Sequence, residues 1–122
     1  MDCKKVLVVE DDLAIRESLE QILEFEGYRP ISAENGEKAV EILKTGELPC
    51  VILLDLMMPV MSGWEFLQVQ KTNQTLSSIP VVIVSAAGEK ARLATANEFL
   101  KKPIDVERLL EVVGHYCQIP KA

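Results

Sequence analysis

Five polar residues stand at or just beyond the ends of strand-like segments, and their types belong together chemically. Glu10 and Asp11 follow Val6-Leu7-Val8-Val9, and Asp55 ends the run from Cys50 to Leu54. Ser85 follows Val81-Val82-Ile83-Val84, and Lys102 follows Phe99-Leu100-Lys101. Unbroken apolar runs of this length read as strands buried on both faces, the habit of a parallel sheet covered by helices. In such a sheet, functional groups collect beyond the carboxyl ends of the strands. Three carboxylates there repel one another: two unit charges about 5 Å apart cost roughly 3 kcal/mol at an effective dielectric of about 20. Lys102 can neutralise only one of them. A hard divalent cation relieves the rest, and carboxylates with carbonyls and water are the ligands Mg²⁺ prefers. Metal, lysine and the Ser85 hydroxyl would together suit the oxygens of a phosphoryl group. Asp55, on the central run, is the natural nucleophile, since a carboxylate carries a phosphoryl group as an acyl phosphate.

The elements that must position these residues are legible in order. Lys4 to Val9 reads as the first strand. The helix after it has Ile15, Leu19, Ile22 and Leu23 on its apolar face and Arg16, Glu17, Glu20 and Glu24 outside, with Asp12 as its cap and Gly27 at its end. Arg29 to Ala33 is a strand containing Pro30, which cannot donate to a ladder and therefore belongs at a sheet edge. Asn35-Gly36 turns into a helix with Ala39, Val40, Ile42 and Leu43, stopped by Gly46. Ser62 and Glu65 form a capping-box pattern opening a third helix with Trp64, Leu67 and Val69. Asn73 to Ser78 reads as a polar loop, Ile79 to Val84 as a fourth strand, Glu89 to Ala96 as a short fourth helix and Phe99 to Lys101 as a fifth strand. Asp105 caps a fifth helix with Val106, Leu109, Leu110 and Val113 on one side. Strand and helix alternate five times, which implies an α/β fold with one parallel sheet and right-handed crossovers. Neither a linker nor a second domain is visible, so residues 1–122 are expected to form one domain.

Bulk composition narrows the function. The chain has 122 residues, enough for a proper core, and 48% of them are hydrophobic. A net charge of −6 argues against direct nucleic-acid binding, which needs a basic face. No apolar stretch is long enough for a membrane span. Cys3, Cys50 and Cys117 are odd in number and widely spaced, which predicts neither a disulfide framework nor a zinc site, with Cys50 a small buried hydrophobe. A reducing, cytoplasmic setting is expected.

The segments Val8-Val9-Glu10-Asp11, Asp55-Leu56-Met57-Met58-Pro59 with Gly63, Val84-Ser85-Ala86 and Phe99-Leu100-Lys101-Lys102-Pro103 resemble the signatures of two-component response-regulator receiver domains. The resemblance covers the whole chain in order. It implies a flavodoxin-like three-layer sandwich, with a five-stranded parallel sheet of order 2-1-3-4-5 and five helices. It further implies that Asp55 accepts a phosphoryl group from a histidine kinase or histidine phosphotransfer protein. Asp11, Asp55 and the backbone carbonyl of Met57 would ligate Mg²⁺, with Glu10 acting through metal-bound water. Lys102 and Ser85 would contact the phosphoryl group, and Phe99 would be the aromatic switch that turns inward when Ser85 moves. The Lys102–Pro103 bond would be cis. Such a chain is a phosphoacceptor that promotes its own phosphorylation and dephosphorylation, not an enzyme, and it switches an output surface toward a downstream protein partner.

Blander roles are open for several of these residues. Ser85 could simply cap the next helix, Lys102 could be a solvated lysine, and Phe99 could be edge-strand core. His115, the one histidine, reads as a surface residue. A haloacid-dehalogenase-like phosphatase would need an acid two residues after the nucleophile, where Met57 stands. A flavodoxin would not place Glu10-Asp11-Asp12 at its phosphate loop. A phosphorylation-independent binding module on the same fold is the remaining rival. One departure concerns residues 86–101, a span a few residues shorter than usual in the family, which leaves the fourth helix room for about two turns. A short fourth helix weakens the face through which such domains pair, so a monomer is expected rather than a dimer.

Overall fold

A computed structural model describes residues 3–46, 48–58, 60–86 and 96–117. Five strands, β1 (Lys5–Val9), β2 (Arg29–Ala33), β3 (Val51–Leu54), β4 (Val81–Ser85) and β5 (Glu98–Lys101), form one sheet of order β2-β1-β3-β4-β5. Every pairing is parallel. Pro30 lies on β2 at the sheet edge, where a missing N–H costs nothing.

Alternation along the strands sorts their side chains to two faces. Leu7 and Val9 of β1, Ile52 and Leu54 of β3, and Val81 and Ile83 of β4 share one core with Ala39, Leu43, Phe66 and Leu67. These last come from α2 (Gly36–Lys44) and α3 (Gly63–Thr72). Val6, Val8, Val51, Leu53, Val82 and Val84 face the opposite core. That side is covered by Leu19 and Leu23 of α1 (Leu13–Phe25) and by Leu109, Val112 and Val113 of α4 (Val106–Tyr116). Three layers result, and strands buried on both faces account for the unbroken apolar runs.

The helix starts follow their caps. The side chains of Asp12, Asn35, Ser62 and Asp105 each accept a backbone N–H three residues on, and Ser62 with Glu65 closes a full capping box. Gly27 and Gly46 adopt φ of +94° and +88° just beyond α1 and α2, where a β-carbon would be strained.

Several expectations are revised. Four α-helices lie among the described residues; the short helix expected at Glu89 to Ala96 falls almost wholly outside them. Cys50 is not an isolated core hydrophobe: it is half-buried, precedes β3, and forms a disulfide with Cys3, with the Cα atoms 5.8 Å apart. The strand order explains this, since β1 and β3 are neighbours and their N-terminal ends meet. The stretch Asn73 to Ser78 contains a 3₁₀ turn, Leu76–Ser78, whose Leu76 is buried, and β4 starts only at Val81. The buried Gln70 holds that turn, donating from Nε2 to the carbonyls of Leu76 (2.8 Å) and Ile79 (3.1 Å). On α3 the fully buried side chain is Phe66, with Val69 only partly covered. On α4 the buried positions are Leu109, Val112 and Val113, while Val106 is exposed.

Candidate functional site

The strand ladders continue one residue past the strands at the carboxyl pole. Glu10 N donates to Ala33 O at 3.0 Å, Asp55 N to Val9 O at 3.0 Å, and Lys102 N to Ser85 O at 3.1 Å. Backbone pairing therefore brings together the polar residues that end β1, β3, β4 and β5. Ligand oxygens of Glu10, Asp11 and Asp55 all lie within 4.8 Å of one another. Glu10 and Asp55 are buried, at 2% and 5% exposure, whereas Asp11 is open to solvent.

Lys102 enters between the two buried acids. Its Nζ lies 2.6 Å from Glu10 Oε1 and 3.5 Å from Asp55 Oδ2. The Lys102–Pro103 bond is cis. Burial pushes the Glu10 carboxyl up from 4.5 to about 7, despite the lysine and the Asp12 N–H that donates to its Oε2 at 3.2 Å. Burial would lower the Lys102 ammonium, but its hydrogen bond to Glu10 and the charge of Asp55 outweigh that, and the net direction is up. One cation thus serves two buried acids and satisfies them incompletely. Three hard oxygen donors with unrelieved negative charge fit a hard divalent cation such as Mg²⁺.

Asp55 is held from several sides. The Met57 N–H donates to its Oδ1 at 3.2 Å, so the turn after β3 orients the carboxylate. Gly63, the first residue of α3, packs directly on the Asp55–Leu56 peptide: a β-carbon there would sit on the Asp55 carbonyl oxygen and 2.6 Å from the Leu56 Cα. The side chains of Met57 and Val60 are exposed, and Val60 adopts φ +68°.

Of the residues singled out by sequence, Glu10, Asp11, Asp55 and Lys102 meet. Ser85 is buried at the end of β4, where its carbonyl receives the Lys102 N–H. Phe99 lies opposite Ile83 on β5 and is 39% exposed, so it is not edge-strand core in this conformation. His115 is on the surface, edge-on to Tyr116. One contributor escaped the sequence reading. Arg16, assigned to the outer side of α1, turns back so that its Nη1 donates to the Glu10 carbonyl at 2.8 Å, tethering the backbone that carries both acids. Helical spacing alone does not reveal a side chain that folds back over its own N-terminus.

The sheet order and this acidic pole define the class of protein. Residues 6–114 match the family described as the response regulator receiver domain, and the chain belongs to that family, the receiver domains of two-component signalling. It is 33% identical to sporulation initiation phosphotransferase F of Bacillus subtilis over 121 residues, 95% of each chain. It is 40% identical over 115 residues to a cyclic di-GMP phosphodiesterase of Thermotoga maritima and 37% identical over 112 residues to the phosphate regulon regulator PhoB of Klebsiella pneumoniae. Those matches cover 90% and 88% of this chain but only 30% and 48% of the relatives, so the chain spans about a third to a half of their length. Among solved structures, Vibrio cholerae CheY4 superposes with a TM-score of 0.83 at 28% identity, covering 93% of this chain and 98% of that one. The Thermotoga maritima response regulator TrrA, solved in complex with Mg²⁺ and BeF, gives 0.82 at 30% identity with the same coverage. No helix among the described residues is long and apolar enough to cross a membrane.

Proposed function

We propose that Asp55 is the phosphoacceptor of this receiver and that the chain works as a switch or shuttle in a phosphorelay. The observation that carries the reading is the buried Asp55 carboxylate at the end of β3, held by the Met57 N–H, in reach of Lys102 and beside two further acids. Glu10, Asp11, Asp55 and the backbone at Met57 would hold Mg²⁺, which when bound supplies positive charge to the phosphoryl oxygens. Asp55 attacks the phosphorus of a phosphohistidine; the P–N bond breaks, an acyl phosphate forms, and the imidazole leaves. Lys102 is already tethered at this spot and can exchange Glu10 for a phosphoryl oxygen. The Ser85 hydroxyl donates to another, and Phe99 turns into the space that Ser85 leaves.

A protein donor, a histidine kinase or histidine phosphotransfer protein, suits the rim of the site. Leu13, Met57 and Val60 are large apolar side chains left 57%, 66% and 72% exposed around a charged centre. A near whole-chain match to a relative named as a phosphotransferase supports the shuttle role. The phosphodiesterase name of another relative belongs to a protein of which this chain spans 30%, and it supports no such activity here. We place the chain in the cytoplasm, acting as a phosphoacceptor and not as an enzyme upon other substrates, and passing its signal to a protein partner. We also read it as a monomer. On the β5–α4 face Arg108 is taken up within the chain, by Glu111 at 2.6 Å and Glu98 at 3.4 Å, which leaves less charge to pair across a dimer.

Treatment with acetyl phosphate and Mg²⁺, followed by intact-mass spectrometry, tests the reading. One added phosphoryl group is expected, absent in Asp55→Asn and absent in chelator. Uptake that survives Asp55→Asn would overturn the assignment. Light scattering on the beryllofluoride-treated chain should give a monomer mass.

A further inference from the structure

The pole opposite the acidic site carries chemistry that phosphoryl transfer does not use. Cys3 and Cys50 lie 47 residues apart in sequence, yet they flank neighbouring strands and are covalently joined, with a Cα separation of 5.8 Å, inside the ordinary disulfide range. Both residues are half-buried, so small reagents can reach them. The third cysteine, Cys117, is free, fully covered by α4 and its neighbours, and its thiol is pushed up to about 11 by burial, the profile of an inert core thiol. Backbone pairing at the same place does not depend on the sulfur bridge: Cys50 N donates to Lys5 O at 2.9 Å, and the β1–β3 ladder runs on from Val6 and Val51. That ladder uses no sulfur atom and would hold the two cysteines close enough to join again once the bridge opens.

We propose that Cys3 and Cys50 form a reversible redox modification site whose co-reactant is a low-molecular-weight disulfide of the glutathione type. The proposal rests on the cytoplasmic reading above, because a half-exposed disulfide in a reducing compartment is characteristically a redox-responsive one. In the oxidising direction one protein thiolate attacks the small disulfide, forming a mixed disulfide and releasing one small thiolate. The second protein thiolate then attacks the protein sulfur of that mixed disulfide and releases the other. Two S–H bonds are lost, one S–S bond forms, two electrons pass to the reagent, and the two protons end on its thiols. The bridge closes a loop containing β1, α1, β2 and α2 onto the start of β3. Asp55 lies five residues beyond Cys50, just past β3 and about 16 Å away at strand rise, so the bridge sits at the opposite end of the strand from the acidic cluster.

The test uses the whole chain equilibrated natively in reduced or oxidised glutathione, with free-thiol titration, intact mass and thermal melting. Counted after denaturation, which exposes Cys117, three thiols are expected in the reduced form and one in the oxidised form, at a mass two hydrogens lower. The oxidised chain should melt about 10 °C higher, because closing a loop of this length restricts the unfolded chain. Cys117→Ser should keep the difference, and Cys3→Ser and Cys50→Ser should each abolish it. Three titratable thiols after oxidised glutathione, equal melting of the two forms, or a difference that survives Cys3→Ser would each overturn the proposal. Phosphoryl uptake by the same samples reports on Asp55 independently, so a failure there leaves the thiol result standing.

Discussion

At the scale of single residues, the unusual group is Glu10, a buried acid that shares one lysine with Asp55. Its carboxyl titrates near 7 in the folded chain against an ordinary 4.5. Between those values the folded chain holds a proton that the unfolded chain has lost. Stability contributed by this group is therefore fully present below about pH 4.5 and declines as pH rises toward 7. In chelator, melting temperature should fall between pH 5 and pH 7.5, by an amount corresponding to about 2 kcal/mol at this site. Glu10→Gln should flatten that slope, and excess Mg²⁺ should reduce it. A profile of wild type in chelator that stays flat would mean that Lys102 already satisfies both acids. Asp11, by contrast, is exposed, so its charge is screened and the repulsion anticipated from sequence falls chiefly on the buried pair Glu10 and Asp55.

At the scale of elements, the connection from β3 to α3 sets the geometry of the site. It holds Val60, a β-branched residue at φ +68°, and Gly63, whose missing side chain lets α3 close on the Asp55–Leu56 peptide. Met61 in the same connection accepts the Gly36 N–H at 3.0 Å, linking it to the start of α2. The two substitutions Val60→Gly and Gly63→Ala should act in opposite directions. Val60 is 72% exposed, so glycine loses little burial and removes left-handed strain; we expect a gain of about 1 kcal/mol in urea unfolding. Alanine at 63 meets the Asp55–Leu56 backbone, which cannot swing away, and should cost about 3 kcal/mol. It should also weaken Mg²⁺ binding, read by isothermal calorimetry, because the Asp55 peptide must shift. Unchanged affinity in Gly63→Ala would show that the close approach is only a matter of packing.

At the scale of the whole molecule, one sheet serves two cores. Phe66 is fully buried on the α2–α3 side and Leu109 on the α1–α4 side. Phe66→Ala should cost about 3 to 5 kcal/mol and Leu109→Ala about 2 to 5 kcal/mol, each leaving a cavity that the sheet cannot close. Because Leu53 and Leu54 are consecutive residues facing opposite cores, damage on either side reaches the same strand. Both variants should therefore lose circular dichroism and tryptophan fluorescence in one coincident transition. Separate transitions for the two probes would mean that the layers unfold independently.

Much of this arrangement is carried by the sequence alone, and the reason is locality. A strand buried on both faces must be apolar throughout, and a helix start needs a side-chain acceptor within three residues, so Val51–Leu54, Asp12, Asn35, Ser62 and Asp105 are readable without neighbours. The acids, serine and lysine beyond the strand ends are equally readable, because a parallel sheet sends every carboxyl end to the same pole. What tertiary structure decided depends on which distant segments touch. Phe66 prevails over Val69 on α3 because the sheet, and not the helix periodicity, selects the face. Cys3 meets Cys50 because β1 and β3 are neighbours although 47 residues separate the cysteines. Lys102 reaches Glu10, 92 residues away, as well as Asp55, and burial at that pole, helped by the Asp55 charge, raises the Glu10 carboxyl. Those outcomes are set by desolvation and proximity, which exist only once the sheet has assembled.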